Sequence, residues 1–181
     1  MMNLKTDYDF EDITLKNFIT LTEEEQELVR NWRNDENVRK WMYSDAIISS
    51  KEHVSFITHL QDDTKNCYWL VNTKKGEQIG VIDLNKINFK NKNAYLGIYA
   101  NPDCKLKGKG SLLIEHVIKL AFEICEFHTL KLEVIDTNKK AISFYKKSGF
   151  IEEGRLKEFV FKNGNWNDVI VMGIIKREGD A

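Results

Sequence analysis

Two short stretches of the chain carry residue types that could bind an anion or move a proton. The first is KLKGKG, residues 105–110, which mixes lysine with glycine and precedes an amphipathic pattern. Glycine permits tight turns, and the first amides of a helix attract negative charge, so this loop could cradle a phosphate. Taken alone, the pattern is equally typical of a solvated turn, and it is neither a Walker A nor a Rossmann motif.

The second stretch, residues 138–150, reads NKKAISFYKKSGF. It contains Tyr145, whose hydroxyl remains protonated at neutral pH and could donate a proton to a departing anion. The alternative is that Tyr145 simply packs in a helix face beside Ala141. The residues alone favour that structural reading.

Capping signals and hydrophobic periodicity predict the elements that position these stretches. Capping-box patterns at 22–25 and 49–52 predict one helix through about Arg33 and another that carries Val54 to Leu60. Two further helices are expected after Gly110 and over 138–147, the latter ended by Gly149. Strands are predicted over 13–21, 67–72, 78–87, 94–100, 129–135, 150–161 and 166–176. The order β-α-α-β-β-β-α-β-α-β-β predicts one α/β (α+β) domain over residues 1–181.

Two of the connections have a predicted geometry. The strands over 67–72, 78–87 and 94–100 resemble an antiparallel meander, and Asn163-Gly164 is the hairpin turn between the last two strands. The final strand is apolar over 167–175, which predicts edge pairing with a second copy and hence a homodimer.

Composition limits the partners of the chain. Twenty-seven Lys and Arg face 28 Asp and Glu, so the net charge of -1 argues against nucleic acid and anionic membrane as partners. We expect a cytoplasmic protein, because no stretch approaches the roughly 20 apolar residues of a membrane span. Cys67, Cys104 and Cys125 lie far apart, and no metal-ligand spacing occurs, so we expect neither disulfides nor a metal.

Taken together, the two stretches resemble the signature of the GNAT superfamily of acetyl-CoA-dependent N-acetyltransferases. That signature is [QR]xxGxG before one helix, followed by NxxAxxxYxxxGF after the next strand. Lys105 departs from it, since the family favours Gln or Arg there and lysine cannot fork two hydrogen bonds to a phosphate. The resemblance implies the GNAT acyl-CoA N-acyltransferase fold: a central mixed, mostly antiparallel sheet of about seven strands flanked by about four helices.

The resemblance also implies where acetyl-CoA, the co-substrate, would lie. Amides from Lys107 to Ser111 would cradle its pyrophosphate, Asn138 would bond the pantetheine arm, and the Tyr145 hydroxyl would lie near the thioester sulfur as the catalytic acid. The full set of implied contacts is Ile98, Tyr99, Ala100, Lys105, Leu106, Lys107, Gly108, Lys109, Gly110, Ser111, Asn138, Ala141, Phe144 and Tyr145.

Shorter matches, among them residues 41–43 and 153–157, resemble the nucleotide-sugar 4-amino N-acetyltransferases of pseudaminic acid biosynthesis, a pathway linked to flagellin glycosylation. This resemblance implies that the acceptor is the 4-amino group of UDP-4-amino-4,6-dideoxy-N-acetyl-β-L-altrosamine, attacking the thioester directly. Core packing is an equal alternative for Trp41 and Met42, and a surface salt bridge is one for Arg33. The implied substrate contacts are Arg33, Trp41, Met42, Tyr43, His53, Lys86 and Tyr99.

Glu133 is the predicted general base, because the strand that carries it borders the acceptor cleft in the GNAT layout. His53 is expected to contact the substrate rather than to act as the base. Two alternative functions remain open. One is an acetyltransferase for protein N-termini of the ribosomal-protein type, which shares the EGRL pattern at 153–156. The other is a catalytically silent CoA-binding regulator.

Overall fold

One mixed sheet organises residues 4–177, the part of the chain that the computed structural model describes. Its spatial order is β1-β2-β3-β4-β5-β6-β8-β7, and every neighbouring pair is antiparallel except β5 and β6. The predicted fold class is confirmed, with eight strands rather than about seven. The strands are β1 (Tyr8–Asp9), β2 (Ile13–Asn17), β3 (Cys67–Thr73), β4 (Gln78–Asn88), β5 (Asn93–Ala100), β6 (Thr129–Ile135), β7 (Ile151–Lys162) and β8 (Asn165–Ile175).

Within residues 4–177, five α-helices accompany the sheet, one more than the prediction of about four. They are α1 (Glu23–Asn34), α2 (Glu36–Arg39), α3 (Ser50–Leu60), α4 (Lys109–Lys119) and α5 (Lys139–Lys147). Both predicted capping boxes form, with Thr22 before α1 and Ser49 before α3 each exchanging hydrogen bonds with the glutamate three residues later. A single π-helical turn, Leu120–Ile124, extends α4. No helix within residues 4–177 is long and apolar enough to cross a membrane.

Alternate residues of the strands divide the core into two clusters, as the period of two requires. On β3, Trp69 packs in a cluster with residues of α4, whereas its neighbour Leu70 packs with Val29 of α1 and Ile57 of α3. The second cluster therefore fixes α1 and α3 against the sheet face opposite α4. The segment between α1 and α3 contains the short helix α2 and the loop that forms one wall of the cleft described below.

Two sequence predictions about the strands are corrected. The strand expected over 13–21 ends at Asn17, because the Asn17 side chain accepts a hydrogen bond from the Ile19 amide and caps a 3₁₀ turn over Phe18–Thr20. The last strand is not an edge: β8 lies between β6 and β7, so both of its sides are already paired. The edge-pairing argument for a homodimer is therefore wrong, and the homodimer itself stays a prediction.

Two predicted glycine turns are confirmed by backbone geometry. Gly149, directly after α5, has φ 92° and ends that helix. Asn163 and Gly164 both have positive φ, at 51° and 75°, as a type I′ hairpin turn requires. These turns place β7 and β8 beside β6 and so complete one side of the sheet.

We predict that Gly80→Ala destabilises the fold. A Cβ at Gly80 would lie 2.5 Å from the Tyr99 carbonyl oxygen and 3.0 Å from the Ala100 Cα, both backbone atoms of β5. Forcing β4 and β5 apart should cost roughly 1–3 kcal/mol and lower the Tm by roughly 2–12 °C in thermal unfolding. Gly154→Ala is the matched control, since nothing lies within 4 Å of its Cβ position. Equal Tm values for the two variants would contradict this account.

Candidate active site

A cleft opens where β5 and β6 stop pairing. The two parallel strands are hydrogen-bonded only over Asn93–Tyr95 and Thr129–Lys131, although β5 continues to Ala100 and β6 to Ile135. The gap holds a cavity of about 1050 Å³ lined by residues 96–101 of β5 and the turn after it, together with Glu133 and Val134 of β6. The unpaired halves of two strands thus supply its opposite walls.

One end of the cleft meets the start of α4. Gly108, the N-cap of this helix, has φ 79°, and no side chain caps the first amides. Gly110 brings α4 close to α5, since a Cβ there would lie 3.6 Å from the Phe144 ring. Uncapped amides at a helix start attract anions, so this geometry is compatible with the phosphate-binding role predicted for the loop. The Lys109 ammonium serves the loop itself, because its Nζ donates to the carbonyl oxygens of Asn101 (2.8 Å) and Cys104 (2.6 Å).

Asn138 and Tyr145 bring α5 into the cleft. Asn138 is the N-cap of α5, and its Oδ1 accepts from the Ala141 amide at 3.2 Å, so only its Nδ2 remains to donate to a ligand. Tyr145 lines the cavity, with Phe144 and Phe150 packed edge-on against its ring. Burial, and to a smaller degree the charge of Asp83, raises the pKa of Tyr145 above its usual value. Its hydroxyl is therefore protonated at neutral pH.

The opposite wall is the loop between α2 and α3. Trp41 and Tyr43 are 39% and 43% exposed, and both line the cavity with Met42, so core packing does not account for them. Lys162 of β7 holds this loop. Its buried Nζ donates to the carbonyl oxygens of Arg39 (2.9 Å), Lys40 (3.0 Å) and Met42 (2.6 Å).

Glu133 of β6 is hydrogen-bonded to this loop and to β4. Its Oε2 accepts from the Tyr43 hydroxyl at 2.6 Å, and its Oε1 accepts from Lys86 Nζ at 2.7 Å. Lys86 also lies over the Tyr95 ring, with its Nζ 4.2 Å from the ring centroid. Lys86 lines a second, smaller cavity of about 270 Å³ next to the main cleft.

Arg33 and His53 approach the same cavity from α1 and α3. No carboxylate among residues 4–177 forms a salt bridge with Arg33, and its buried Nη1 has no hydrogen-bond partner there. A surface salt bridge is therefore not its role. Burial lowers the pKa of Arg33, and Tyr99 partly opposes that shift. Burial also lowers the pKa of His53, which favours its neutral form at pH 7.

Comparison with known proteins identifies the family. Residues 19–171 match the acetyltransferase (GNAT) domain. The chain belongs to the GNAT acetyltransferase family. Over 147 residues it is 37% identical to acetyltransferase PseH of Campylobacter jejuni, covering 81% of this chain and 90% of that protein. The crystal structure of the Vibrio cholerae spermidine N-acetyltransferase in complex with CoA and spermine superposes with a TM-score of 0.82 at 28% identity, covering 90% of this chain and 95% of that one.

The chain is accordingly an acetyl-CoA-dependent N-acetyltransferase, and the GNAT cleft has features that fit this co-substrate. The uncapped start of α4 suits a pyrophosphate, and the unpaired β5 edge offers backbone groups to an extended pantetheine chain. Of the predicted acetyl-CoA contacts, half line the cavity itself: Ile98, Tyr99, Ala100, Lys109, Asn138, Ala141 and Tyr145. Six of the others lie at or just before the start of α4: Lys105, Leu106, Lys107, Gly108, Gly110 and Ser111. The last, Phe144 of α5, lies next to Gly110.

The predicted substrate contacts also lie around the GNAT cleft. All of them line the main cavity except Lys86, which lines the adjoining smaller one. Glu133 lines both. The structure therefore brings the predicted acid, the predicted base and the predicted acceptor contacts around one opening.

Sequence analysis missed Asp83, a carboxyl group inside this GNAT cleft. Asp83 lies in the middle of β4, opposite Tyr68 of β3 and Gly97 of β5, and lines the cavity at only 8% exposure. Burial raises its pKa to about 6, while a hydrogen bond from Asn85 opposes the shift. The available signal was one acid in the apolar run GVIDL, where a buried strand position requires a reason for charge.

We predict that Gly108→Ala weakens CoA binding, since a left-handed residue at the helix start is unfavourable for any side chain and the amides would shift. The control is Gly76→Ala in the turn between β3 and β4. Both glycines have φ near 80° and open space at the Cβ position, so both variants should lose a similar free energy of unfolding, roughly 1 kcal/mol. Isothermal titration with CoA should show a loss of about tenfold only for Gly108→Ala. Equal dissociation constants would contradict a phosphate site at this helix start.

Proposed function

We propose that the protein transfers the acetyl group of acetyl-CoA to the 4-amino group of UDP-4-amino-4,6-dideoxy-N-acetyl-β-L-altrosamine, a step of pseudaminic acid biosynthesis. The observation that carries the proposal is the acceptor wall, where exposed Trp41 and Tyr43 lie with Met42 beside the unpaired guanidinium of Arg33. The sequence resemblance described first and the similarity to acetyltransferase PseH support it.

This wall has the chemistry that a UDP-amino sugar needs. A uracil ring stacks on flat aromatic surface, which Trp41 and Tyr43 offer. A diphosphate binds cations, and Arg33 enters the cavity with an unused buried donor. Lys86, 57% exposed at its side chain and paired with Glu133, is a second cation, and it lines the smaller adjoining cavity. A cavity of about 1050 Å³ exceeds what one small ligand usually fills, in keeping with two substrates meeting there.

Tyr145 is the proposed acid of the reaction. Acetyl-CoA supplies the acetyl group as a thioester, whose sulfur leaves more easily when it is protonated. Tyr145 is protonated at neutral pH and lines the cavity on the α5 side. In this proposal the acetyl-CoA side of the cleft contains the proton donor, Tyr145, and the acceptor side contains the carboxyl groups, Glu133 and Asp83. Direct attack by the amine agrees with this division and requires no acyl-enzyme.

Glu133 is the proposed base from the sequence, and its position in the cleft agrees with a role beside the acceptor. Both of its oxygens are engaged, by Tyr43 and by Lys86. An amine that approaches Glu133 would therefore share one of these oxygens with Tyr43 or Lys86. In the present arrangement Glu133 orders the acceptor wall, because it holds Tyr43 and Lys86 in place.

The ribosomal-type alternative rests on the EGRL pattern at 153–156, and the structure gives those residues a structural role. Glu153 forms a salt bridge with Lys131 on β6, and Arg155 binds Asp136 at 3.2 Å and Asp168 at 2.9 Å. The pattern thus fastens β7 to its neighbours. It does not discriminate a peptide acceptor from a sugar acceptor.

The acceptor is tested with a panel of amines and acetyl-CoA, measuring released thiol. The panel contains the UDP-4-amino sugar, an N-terminal peptide and spermidine. We expect kcat/KM for the UDP-amino sugar to exceed that for the other two by at least about 100-fold, because only this acceptor fills the aromatic and cationic wall. Faster acetylation of the peptide or spermidine would refute this acceptor, and so would the absence of thiol release with the UDP-amino sugar.

We predict that Tyr145→Phe lowers kcat by roughly 10²–10⁴ with little change in the KM for acetyl-CoA, because only the proton donor is removed. Steady-state kinetics with the acceptor identified above would measure both constants. Tyr8→Phe is the matched control: burial raises the pKa of Tyr8 to about 12 as well, but Tyr8 packs on Trp69 away from the cleft. A Tyr145→Phe enzyme with normal kcat would remove this residue from the mechanism.

A further inference from the structure

Asp83 has no part in the chemistry proposed so far, although it lines the cleft. Asn85 Nδ2 donates to its Oδ1 at 2.7 Å, whereas no group among residues 4–177 donates a hydrogen bond to its Oδ2. A carboxylate accepts through both oxygens, and one that is buried almost completely is costly unless both are satisfied. Asp83 therefore presents an unused acceptor within the cleft of an N-acetyltransferase, whose acceptor is an amine.

Gly97 makes room for this carboxyl group. It lies directly opposite Asp83 on β5, and a Cβ at that position would be 2.3 Å from Asp83 Oδ2. Any side chain at 97 would displace the carboxyl group from its place beside the unpaired part of β5. The bare backbone there is the reason that a carboxyl group on β4 reaches the gap between β5 and β6.

The groups around Asp83 come from every element that borders this part of the cavity. Three of them are tyrosines whose pKa values are raised mainly by burial, with the Asp83 charge as a further cause. Asp83 is thus within electrostatic reach of the proposed acid, Tyr145. The titratable and charged groups that line the cavity with Asp83 are Arg33 of α1, Tyr43 of the loop between α2 and α3, Glu52 and His53 of α3, Tyr68 of β3, Tyr99 of β5, Lys109 of α4, Glu133 of β6 and Tyr145 of α5.

The two carboxyl groups of the cleft differ in what already occupies them. Glu133 receives a phenol on one oxygen and an ammonium on the other. Asp83 receives only the neutral amide of Asn85. An incoming ammonium would share an oxygen of Glu133 with a donor that is already bound there, whereas no donor among residues 4–177 occupies Asp83 Oδ2. Coulombic attraction in this desolvated position also favours binding of the charged amine.

We propose that Asp83 takes the proton from the acceptor amine and is a catalytic residue of the reaction. This inference rests on the proposed acetyl transfer but not on the identity of the acceptor. An ammonium N–H bond breaks, the proton bonds to Asp83 Oδ2, and nitrogen keeps the electron pair. The nitrogen then bonds to the acetyl carbon and the carbon–sulfur bond breaks. The leaving sulfur takes the proton of the Tyr145 hydroxyl. The nitrogen then loses a second proton, which restores the Tyr145 hydroxyl. Asp83 finally releases its proton to solvent.

The basicity of Asp83 agrees with this role. Its pKa of about 6 leaves it ionised at neutral pH, yet makes it a better proton acceptor than an ordinary aspartate. Below about pH 6 the carboxyl group is protonated and cannot accept. As the pH decreases through about 6, kcat/KM for the amine should therefore fall. This decrease adds to the pH dependence that the ionisation of the amine itself produces.

The test is Asp83→Asn, which keeps the size of the side chain and an oxygen for Asn85. We expect kcat/KM for the amine to fall by roughly 100-fold or more, with the acid limb near pH 6 lost and the dissociation constant of acetyl-CoA unchanged. Glu133→Gln is the comparison variant and should retain that limb. The amine used is whichever of the UDP-amino sugar, N-terminal peptide or spermidine the wild type acetylates fastest, so a wrong acceptor and a wrong base give different results.

A second variant keeps the inference open to disproof if Asp83→Asn folds poorly. The hydrogen bond from Asn85 lowers the pKa of Asp83, so Asn85→Ala should move the acid limb to higher pH. An Asp83→Asn enzyme that retains kcat/KM within about threefold would overturn the proposal. Loss of the acid limb in Glu133→Gln rather than in Asp83→Asn would also overturn it. An acid limb at the same pH in Asn85→Ala as in the wild type would overturn it as well.

Discussion

The brief parallel contact between β5 and β6 is the constraint from which the rest of the site follows. Parallel neighbours cannot be joined by a hairpin, so the chain must leave β5, cross over and return beside it. Here α4 makes that crossover, which puts its N-terminus just beyond the end of β5. Because pairing lasts for only three residues of each strand, the crossover helix starts next to an open gap rather than a closed sheet. One topological feature thus produces both the uncapped helix start, which is the predicted phosphate site, and the gap between the strands.

The wall proposed to bind the acceptor, the loop with Trp41, Met42 and Tyr43, is held in place by side-chain hydrogen bonds rather than by strand pairing. The segment between α2 and α3 is largely irregular, and its carbonyl groups need donors from elsewhere in the protein. Lys162 supplies them from the edge strand β7, and the same loop is joined to β6 by the hydrogen bond from Tyr43 to Glu133. A buried ammonium is costly by itself, and burial indeed lowers the pKa of Lys162, but three carbonyl oxygens offset that cost. Two strands distant in sequence therefore set the shape of the acceptor pocket.

Local signals in the sequence predicted local structure well. Capping boxes, the Asn163-Gly164 turn and the glycine after α5 each determine the backbone within a few residues, and all three were found. The GNAT resemblance predicted the residues around the cleft, because its two motifs lie at the starts of helices α4 and α5, which meet there. Errors arose where distant contacts decide the outcome. The apolar pattern of β8 is the same for an edge strand as for an internal strand, and only the pairing with β6 and β7 distinguishes the two.

Asp83 shows why a site residue can escape sequence reasoning even when the fold is right. A lone acid in an apolar strand has no periodic pattern, and its use depends on Gly97 in another strand, which leaves the space for its carboxyl group. The same cleft contains Glu133, chemically almost identical and easier to predict. Environment separates them: one is held between a phenol and an ammonium, while the other is desolvated with a single amide donor. Enzymes that use two similar groups for different tasks distinguish them in this way. Burial and an oxygen without a donor are the two features that distinguish Asp83 from Glu133, and they are the basis for proposing Asp83 as the group that meets the amine.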